Sequence, residues 1–259
     1  PASVPYNAQN DSTRLALFAD ALGDPDVEVI WAPKGGYGAA RLLPALDQLE
    51  NIRPKIFIGY SDMTFLHLFL RDRGWRTVHG GMFLEMDNPA KDKANFRLLA
   101  DLLAGKMTEL RYNGLRPFNK AARQQRKALE GVLTGGNLAC LASAAGTPWA
   151  LRGAGKILFM EDVTEPGYRI DRMLTQLLHS GALDEVKAVL LGEFTGGDDN
   201  NAFALRRFAA PFDKPVFRSD LFGPGRKHYP LVFNSPAVIQ SDGNEQHGLV
   251  LIIPVRCLP

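Results

Sequence analysis

The sequence predicts an α/β protein: a flavodoxin-like parallel sheet flanked by helices, followed by a smaller α/β unit. Three observations carry this reading. Short apolar, partly β-branched runs such as Val27-Glu28-Val29-Ile30-Trp31 and Ile56-Phe57-Ile58 alternate with longer runs of helical spacing. Glycine-rich turns separate them, and a β-loop-α-β-α rhythm of this kind implies a parallel sheet with helices outside. After Gly105 the chain turns polar to about Arg126, with Gly114 and Pro117 inside, and the alternation then resumes. The predicted division is an N-terminal domain over 1–105, a linker over 106–128 and a C-terminal domain over 129–259.

In the first unit, Arg14 to Leu22 reads as a helix and Val27 to Trp31 as a strand. Gly35-Gly36-Tyr37-Gly38 is a loop, and Ala39 to Leu49 a helix with Pro44 near its first turn. The Ile56 to Gly59 strand runs straight into Ser61 and an apolar helix ending near Arg73. Thr77 to His79 is a short strand closed by Gly80-Gly81, and Lys91 to Leu103 a further helix. In the second unit, Leu129 to Leu133 reads as a strand, Gly135-Gly136-Asn137 as a turn and Leu138 to Ala145 as a small-residue helix. Lys156 to Met160 is a strand ending in Glu161-Asp162. Arg169 to His179 carries Ile170, Met173, Leu174, Leu177 and Leu178 at helical spacing, with Gly181 just past its end. Ala188 to Phe194, Val216-Phe217, Ala237 to Gln240 and Leu249 to Ile253 read as strands, and Asn201 to Ala210 as a helix.

Composition narrows the classes. The 259 residues are 46% apolar and 22% charged, which suits a soluble globular protein with a sizeable core. A net charge of +2 gives no electrostatic case for nucleic acid or an anionic membrane. The apolar runs are too short to span a bilayer, and no signal peptide is visible. Cys140 and Cys257 suit free buried thiols in a reducing compartment, so the cytoplasm is the default location.

Ser61 sits at the corner between a strand and a helix, where the first free N–H groups of the helix lie beside its hydroxyl. That is the logic of a nucleophile elbow, although Met63 stands where G-x-S-x-G has its last glycine. A helix-capping serine is the structural alternative. The Gly35 to Gly38 loop reads as a phosphate cradle, as an oxyanion donor beside Ser61, or as a tight βα turn. Glu161 follows an apolar strand, so it can orient a histidine in a Ser-His-Glu triad or face the next helix N-terminus. Among the histidines, His67 is expected to point away, His79 ends a strand, His179 lies in a last helical turn and His247 near a hairpin. His228, in a loop between strands, is the candidate base.

Seven segments together resemble the LD-carboxypeptidase family of serine peptidases, which includes the microcin C self-immunity proteins. They occur in family order: Lys34 to Pro44, Ile58 to Thr64 (Ile-Gly-Tyr-Ser-Asp-x-Thr), His79 to Met82, Gly135 to Leu138 (Gly-Gly-Asn-Leu), Gly146 to Trp149, Leu158 to Arg169 and Leu191 to Phe194. The resemblance covers about residues 10 to 240. It implies a two-domain fold with the active site between the domains, and a Ser-Glu-His triad. By motif the nucleophile falls on Ser61 and the acid on Glu161, with oxyanion N–H donors at Gly36 and Asp62. The implied activity is hydrolysis of the L,D-peptide bond before the terminal D-Ala of murein tetrapeptides in cell-wall recycling. The alternatives are a microcin-immunity-type hydrolase of acyl-adenylate analogues and a family member that only binds. No metal or organic cofactor is implied, and a homodimer is.

The sequence departs from the family twice. Family members open with a β-α-β unit before the segment that resembles Asn10 to Leu22, and this chain starts after it. The family histidine belongs to a Gly-His pair upstream of a strand that aligns with Leu231 to Asn234. Without gaps, Pro224 occupies its place and His228 lies four residues later. Either a short loop shift carries His228 to Ser61, or the base is missing and the site is dead or remodelled.

Overall fold

The computed structural model describes residues 9–50, 52–243 and 248–255. Helix α1 (Asp11–Gly23) is capped by the Asn10 side chain, which accepts from the Thr13 N–H. Strand β1 (Val29–Trp31) leads through the glycine loop to a 3-10 turn (Ala39–Leu42) and a single turn of helix, α2 (Leu43–Leu46). The predicted helix to Leu49 is therefore shorter than its pattern. Strand β2 (Ile56–Gly59), a 3-10 turn (Ser61–Met63), α3 (Thr64–Asp72), β3 (Thr77–His79) and α4 (Lys93–Leu103) complete the first unit.

The remainder runs β4 (Glu109–Pro117), α5 (Lys120–Gln124), β5 (Leu129–Asn137), α6 (Leu138–Ala144), β6 (Lys156–Val163) and α7 (Gly167–His179). Then follow β7 (Ala188–Thr195), α8 (Asn201–Ala209), β8 (Val216–Arg218), β9 (Leu231–Phe233), β10 (Ser235–Ser241) and β11 (Leu249–Pro254). One sheet has the order β1-β2-β3-β9, with the first three strands parallel and β9 antiparallel to β3. The other closes as a barrel, β10-β11-β4-β8-β7-β6-β5, in which β5 to β8 are parallel neighbours.

Two expectations are corrected here. The segment 106–128 is not a linker, since β4 pairs with β11 along its length and with β8 at Arg116 and Pro117. Its alternation of buried Leu110, Tyr112 and Leu115 with exposed polar residues is the strand signal that overall polarity obscured. Gly135-Gly136-Asn137 is not a turn but the end of β5, paired with Phe159 to Glu161 of β6. The two sheets also share their cores. Phe57 and Phe69 pack in one cluster with Leu158 and Leu191, and Ile58 and Val78 in another with Leu133, Phe159 and Leu251.

Buried Asn119 locks the 109–124 segment in place. Its Oδ1 accepts from the Ala122 and Val216 N–H groups, and its Nδ2 donates to the carbonyls of Phe212 and Lys214. Replacing it by Ala leaves four backbone partners without it, two of them buried, at about 0.5–1.5 kcal/mol each. Asn119→Ala is expected to lower stability by about 2–4 kcal/mol in urea unfolding. A change under about 0.5 kcal/mol would show that the segment is not held this way.

Candidate active site

Strands β2, β3 and β6 all bring functional side chains to their carboxyl ends, the side on which open α/β sheets form sites. Ser61 follows β2 with φ 59°, a left-handed backbone that non-glycine residues seldom adopt. The turn cannot relax, because β2 is buried throughout and α3 begins three residues later with Thr64 buried. The side chain is half-buried, at the floor of a cleft of about 610 Å³ also lined by Gly36, Asp62, Asn137, Trp149 and Asp162.

The glycine loop lies against this corner. A Cβ on Gly35 would stand 3.2 Å from both Cβ and Oγ of Ser61, and Gly36 takes φ 137°. Asp62 ties loop and elbow together, its buried Oδ2 accepting from the Ala39 N–H at 2.8 Å. The N–H groups of Gly36 and Asp62 donate to no other group among the described residues. Across the cleft, Asn137 caps α6 by accepting from the Cys140 N–H, and its own N–H donates to Thr64 Oγ1. Asp162 accepts from Asn137 Nδ2 and from the N–H groups of Ala139 and Val163. Burial, with Glu161 adjacent, still pushes the Asp162 carboxyl up to about 6.

Glu161 and Asp162 are neighbours at an irregularity in the pairing of β6 with β7, and the Asn137 side chain reaches both carboxyls. Asp162 lines the cleft, whereas Glu161 is 1% exposed and points inward. Its Oε1 lies 3.9 Å from Nε2 of His79, a fully buried ring at the end of β3. Burial pushes the Glu161 carboxyl up to about 8 and the His79 imidazole down to about 3.

His228 does not stand where the sequence analysis places it. Its ring is buried, its Nε2 is 3.3 Å from His79 Nδ1, and no hydrogen bond joins it to Ser61 or Glu161. His79 stands between the acid and the expected base. The loop explains why. Lys91 Nζ donates to the carbonyls of Pro224 and Gly225, Glu193 accepts from the Gly225 N–H, and Asn95 accepts from the His228 N–H. Held at both ends, the loop turns His228 inward, where its ring packs on Tyr60 with centroids 4.2 Å apart. Tyr60 is itself fixed by a 2.7 Å hydrogen bond to Glu85.

The other expectations fall out as follows. His67 is buried away from the cleft, bonded to Thr77 Oγ1 and the Gly59 carbonyl. Cys140, on α6, is half-buried on the cleft wall rather than fully buried, with Sγ donating to the Ser61 carbonyl at 3.8 Å. Cys257 and His247 lie outside the described residues. Sequence reasoning passed over Asp162, Tyr60 and Lys91, and did not assign His79. The signals were present in Tyr60 beside Ser61 and in the His-Gly-x-Met segment, but neither indicates which face a side chain takes.

The strained serine corner, the glycine loop against its hydroxyl and Asp162 across the cleft have the geometry of a nucleophile elbow in a two-sheet α/β fold. The chain belongs to the LD-carboxypeptidase family of peptidases: residues 2–80 match the family's N-terminal domain and 130–239 its C-terminal domain. It is 39% identical over 238 residues to a putative carboxypeptidase of Rickettsia conorii, covering 91% of this chain and 75% of that protein. It is 34% identical over 253 residues to the murein tetrapeptide carboxypeptidase of Pseudomonas aeruginosa, covering 92% and 80%. The crystal structure of muramoyltetrapeptide carboxypeptidase from Oxalobacter formigenes superposes with a TM-score of 0.77 at 29% identity, covering 95% of this chain and 86% of that one.

The buried cluster sets the pH dependence of stability. Free histidine titrates near 6.5 and free glutamate near 4.5, so between pH 6.5 and 8 only Glu161 of this cluster differs between states. There the unfolded carboxylate is ionised and the folded one protonated. The folded state holds the extra proton, and stability falls as pH rises. Below 6.5 the lowered pKa values of His67, His79 and His228 act in the opposite direction, and stability falls as pH falls. Raised Glu161 and Asp162 oppose that fall only in part. Melting temperature is expected to peak near pH 6.5, and Glu161→Gln to flatten the decline between 6.5 and 8. A wild-type curve flat over that window would contradict the assignment.

Proposed function

We propose that this protein is a serine-type carboxypeptidase that hydrolyses the L,D-peptide bond before the terminal D-Ala of murein tetrapeptides. On this reading it works in cell-wall recycling, in the cytoplasm and as a homodimer. The observation that carries the reading is Ser61 held at φ 59° on the floor of the cleft, beside two uncommitted N–H groups. The names of the Pseudomonas and Oxalobacter relatives support the substrate class.

Ser61 Oγ attacks the scissile carbonyl and forms an acyl-enzyme, releasing D-Ala; water then hydrolyses the ester. The oxyanion is received by the Gly36 and Asp62 N–H groups. We assign His228 as the base. Its Nδ1 carries no hydrogen bond, and its ring lies against the residue preceding Ser61. Glu161 supports it from the far side of His79.

With purified protein, murein tetrapeptide and mass-spectrometric detection of D-Ala, Ser61→Ala is expected to lower kcat about 10³–10⁶-fold without loss of folding. Retention of a tenth of the activity would remove Ser61 from the mechanism.

Pro224 and His228 are tested together. The Lys91 contact uses the Pro224 carbonyl, so Pro224→His keeps the loop's anchor. With His228 as base, His228→Gln lowers kcat about 10²–10⁴-fold, and Pro224→His leaves it within about tenfold of wild type. An inactive wild type that Pro224→His switches on would mean that the native chain lacks its base and only binds.

A further inference from the structure

Glu161 Oε1, His79 Nε2 and His228 Nδ1 are all buried without a hydrogen-bond partner. Buried polar atoms are nearly always paired, so three orphans in one chain of contacts require a physical reason. The links are Glu161 Oε1 to His79 Nε2 at 3.9 Å, a contact longer than a hydrogen bond, and His79 Nδ1 to His228 Nε2 at 3.3 Å. The two rings stack at 4.9 Å with an interplanar angle of 21°, and Phe159 and Phe233 hold His79 from other sides at 5.0 and 5.3 Å.

We infer that His79 is a positioning residue that couples Glu161 to His228, so that the proton on the Glu161 carboxyl decides which nitrogen of His228 carries a proton. This rests on the proposed role of His228 as base and deepens it. A neutral imidazole has one N–H and one lone pair. When Glu161 is ionised, the 3.9 Å gap closes to a hydrogen bond in which it accepts from His79 Nε2–H. His79 Nδ1 is then a lone pair and accepts from His228 Nε2–H. His228 Nδ1 is left bare, the form in which it can take a proton from a hydroxyl. When Glu161 is protonated, every donor reverses. Its O–H donates to His79 Nε2, His79 Nδ1–H donates to His228 Nε2, and His228 Nδ1 carries the proton and accepts nothing.

The coupling passes through tautomers rather than charge, which suits the site. Burial keeps both imidazoles neutral by holding their pKa values far below the usual range, while the Glu161 carboxyl titrates near 8. The titratable groups facing this chain are Lys91 and Tyr60, His67 on α3, and Asp162 beside Glu161. A conventional triad sets the base's tautomer by direct contact with the acid. Here a second imidazole fills the gap.

Nitrogen-15 NMR of the histidine-labelled full chain at about pH 9, above the raised Glu161 pKa, tests the coupling. Wild type is expected to show a bare His228 Nδ1. Glu161→Gln, whose amide donates to His79 Nε2, is expected to show a protonated one. In a His79→Phe background, which keeps a ring between Phe159 and Phe233 but removes both nitrogens, Glu161→Gln is expected to leave the His228 shifts unmoved. Identical His228 shifts in wild type and in Glu161→Gln, or a change that persists without His79, overturns the inference. Should His79→Phe not fold, a wild-type titration decides: the His228 nitrogens step at the same pH as the Glu161 carboxyl carbon, or the coupling is absent. His79→Phe should also lower kcat about 10²-fold at unchanged KM. None of the NMR readouts involves turnover. Ser61→Ala retaining activity would therefore refute the function while leaving the coupling standing, and unmoved shifts beside an inactive Ser61→Ala would refute the coupling alone.

Discussion

The structure depends on one return crossing. Strand β9 leaves the barrel side of the chain to pair with β3, aligning Leu231 to Phe233 with His79 to Thr77. One residue later the chain is back in the barrel, with Ser235 paired to Leu133. Asn234 makes this switch at φ 57°, its N–H donating to the Leu133 carbonyl and its side chain to the Trp75 carbonyl. Two sheets joined by this one-residue switch and sharing two cores cannot move independently. That fixes the elbow after β2 against the carboxylates at the end of β6, although about 100 residues of chain separate them.

The price of this closeness is a buried polar layer between the sheets. His67, His79, Glu161 and His228 are almost completely excluded from water. His67 is satisfied on both nitrogens and acts as a brace between β2, β3 and α3. The others are not fully satisfied, and unsatisfied buried groups cost roughly 1–3 kcal/mol each. A fold that retains them gives up stability at a place where proton positions matter, as strained and polar active sites commonly do. The rigid surroundings keep the cost local, because Lys91, Asn95 and Glu193 hold the Pro224 loop regardless of its side chain.

Membership of the LD-carboxypeptidase family was legible because its motifs are backbone requirements. Glycine is demanded at 35 by the approach to Ser61 and at 36 by its φ of 137°, and Asn137 by the cap of α6. The serine corner was legible from a buried strand meeting an apolar helix. What misled was polarity taken as a linker: β4 alternates because it faces solvent on one side of the barrel, and a scan for apolar runs passes over it. Asp162 was missed because alternation along β6 assigns faces only once the strand is known to continue past Met160.

By itself, then, the sequence determined the order of strands and helices outside 106–128, the serine corner between strand and helix, and the absence of a histidine at position 224. These follow from local pattern, turn chemistry and residue identity. Only the tertiary structure decided that His79 intervenes between Glu161 and His228. That depends on β3 lying between β2 and β9, on the Pro224 loop being held by α4 and its preceding residues, and on which way each ring turns. Such contacts join residues about 80 to 150 positions apart, and their geometry is set by the packing of both sheets, which no local pattern encodes.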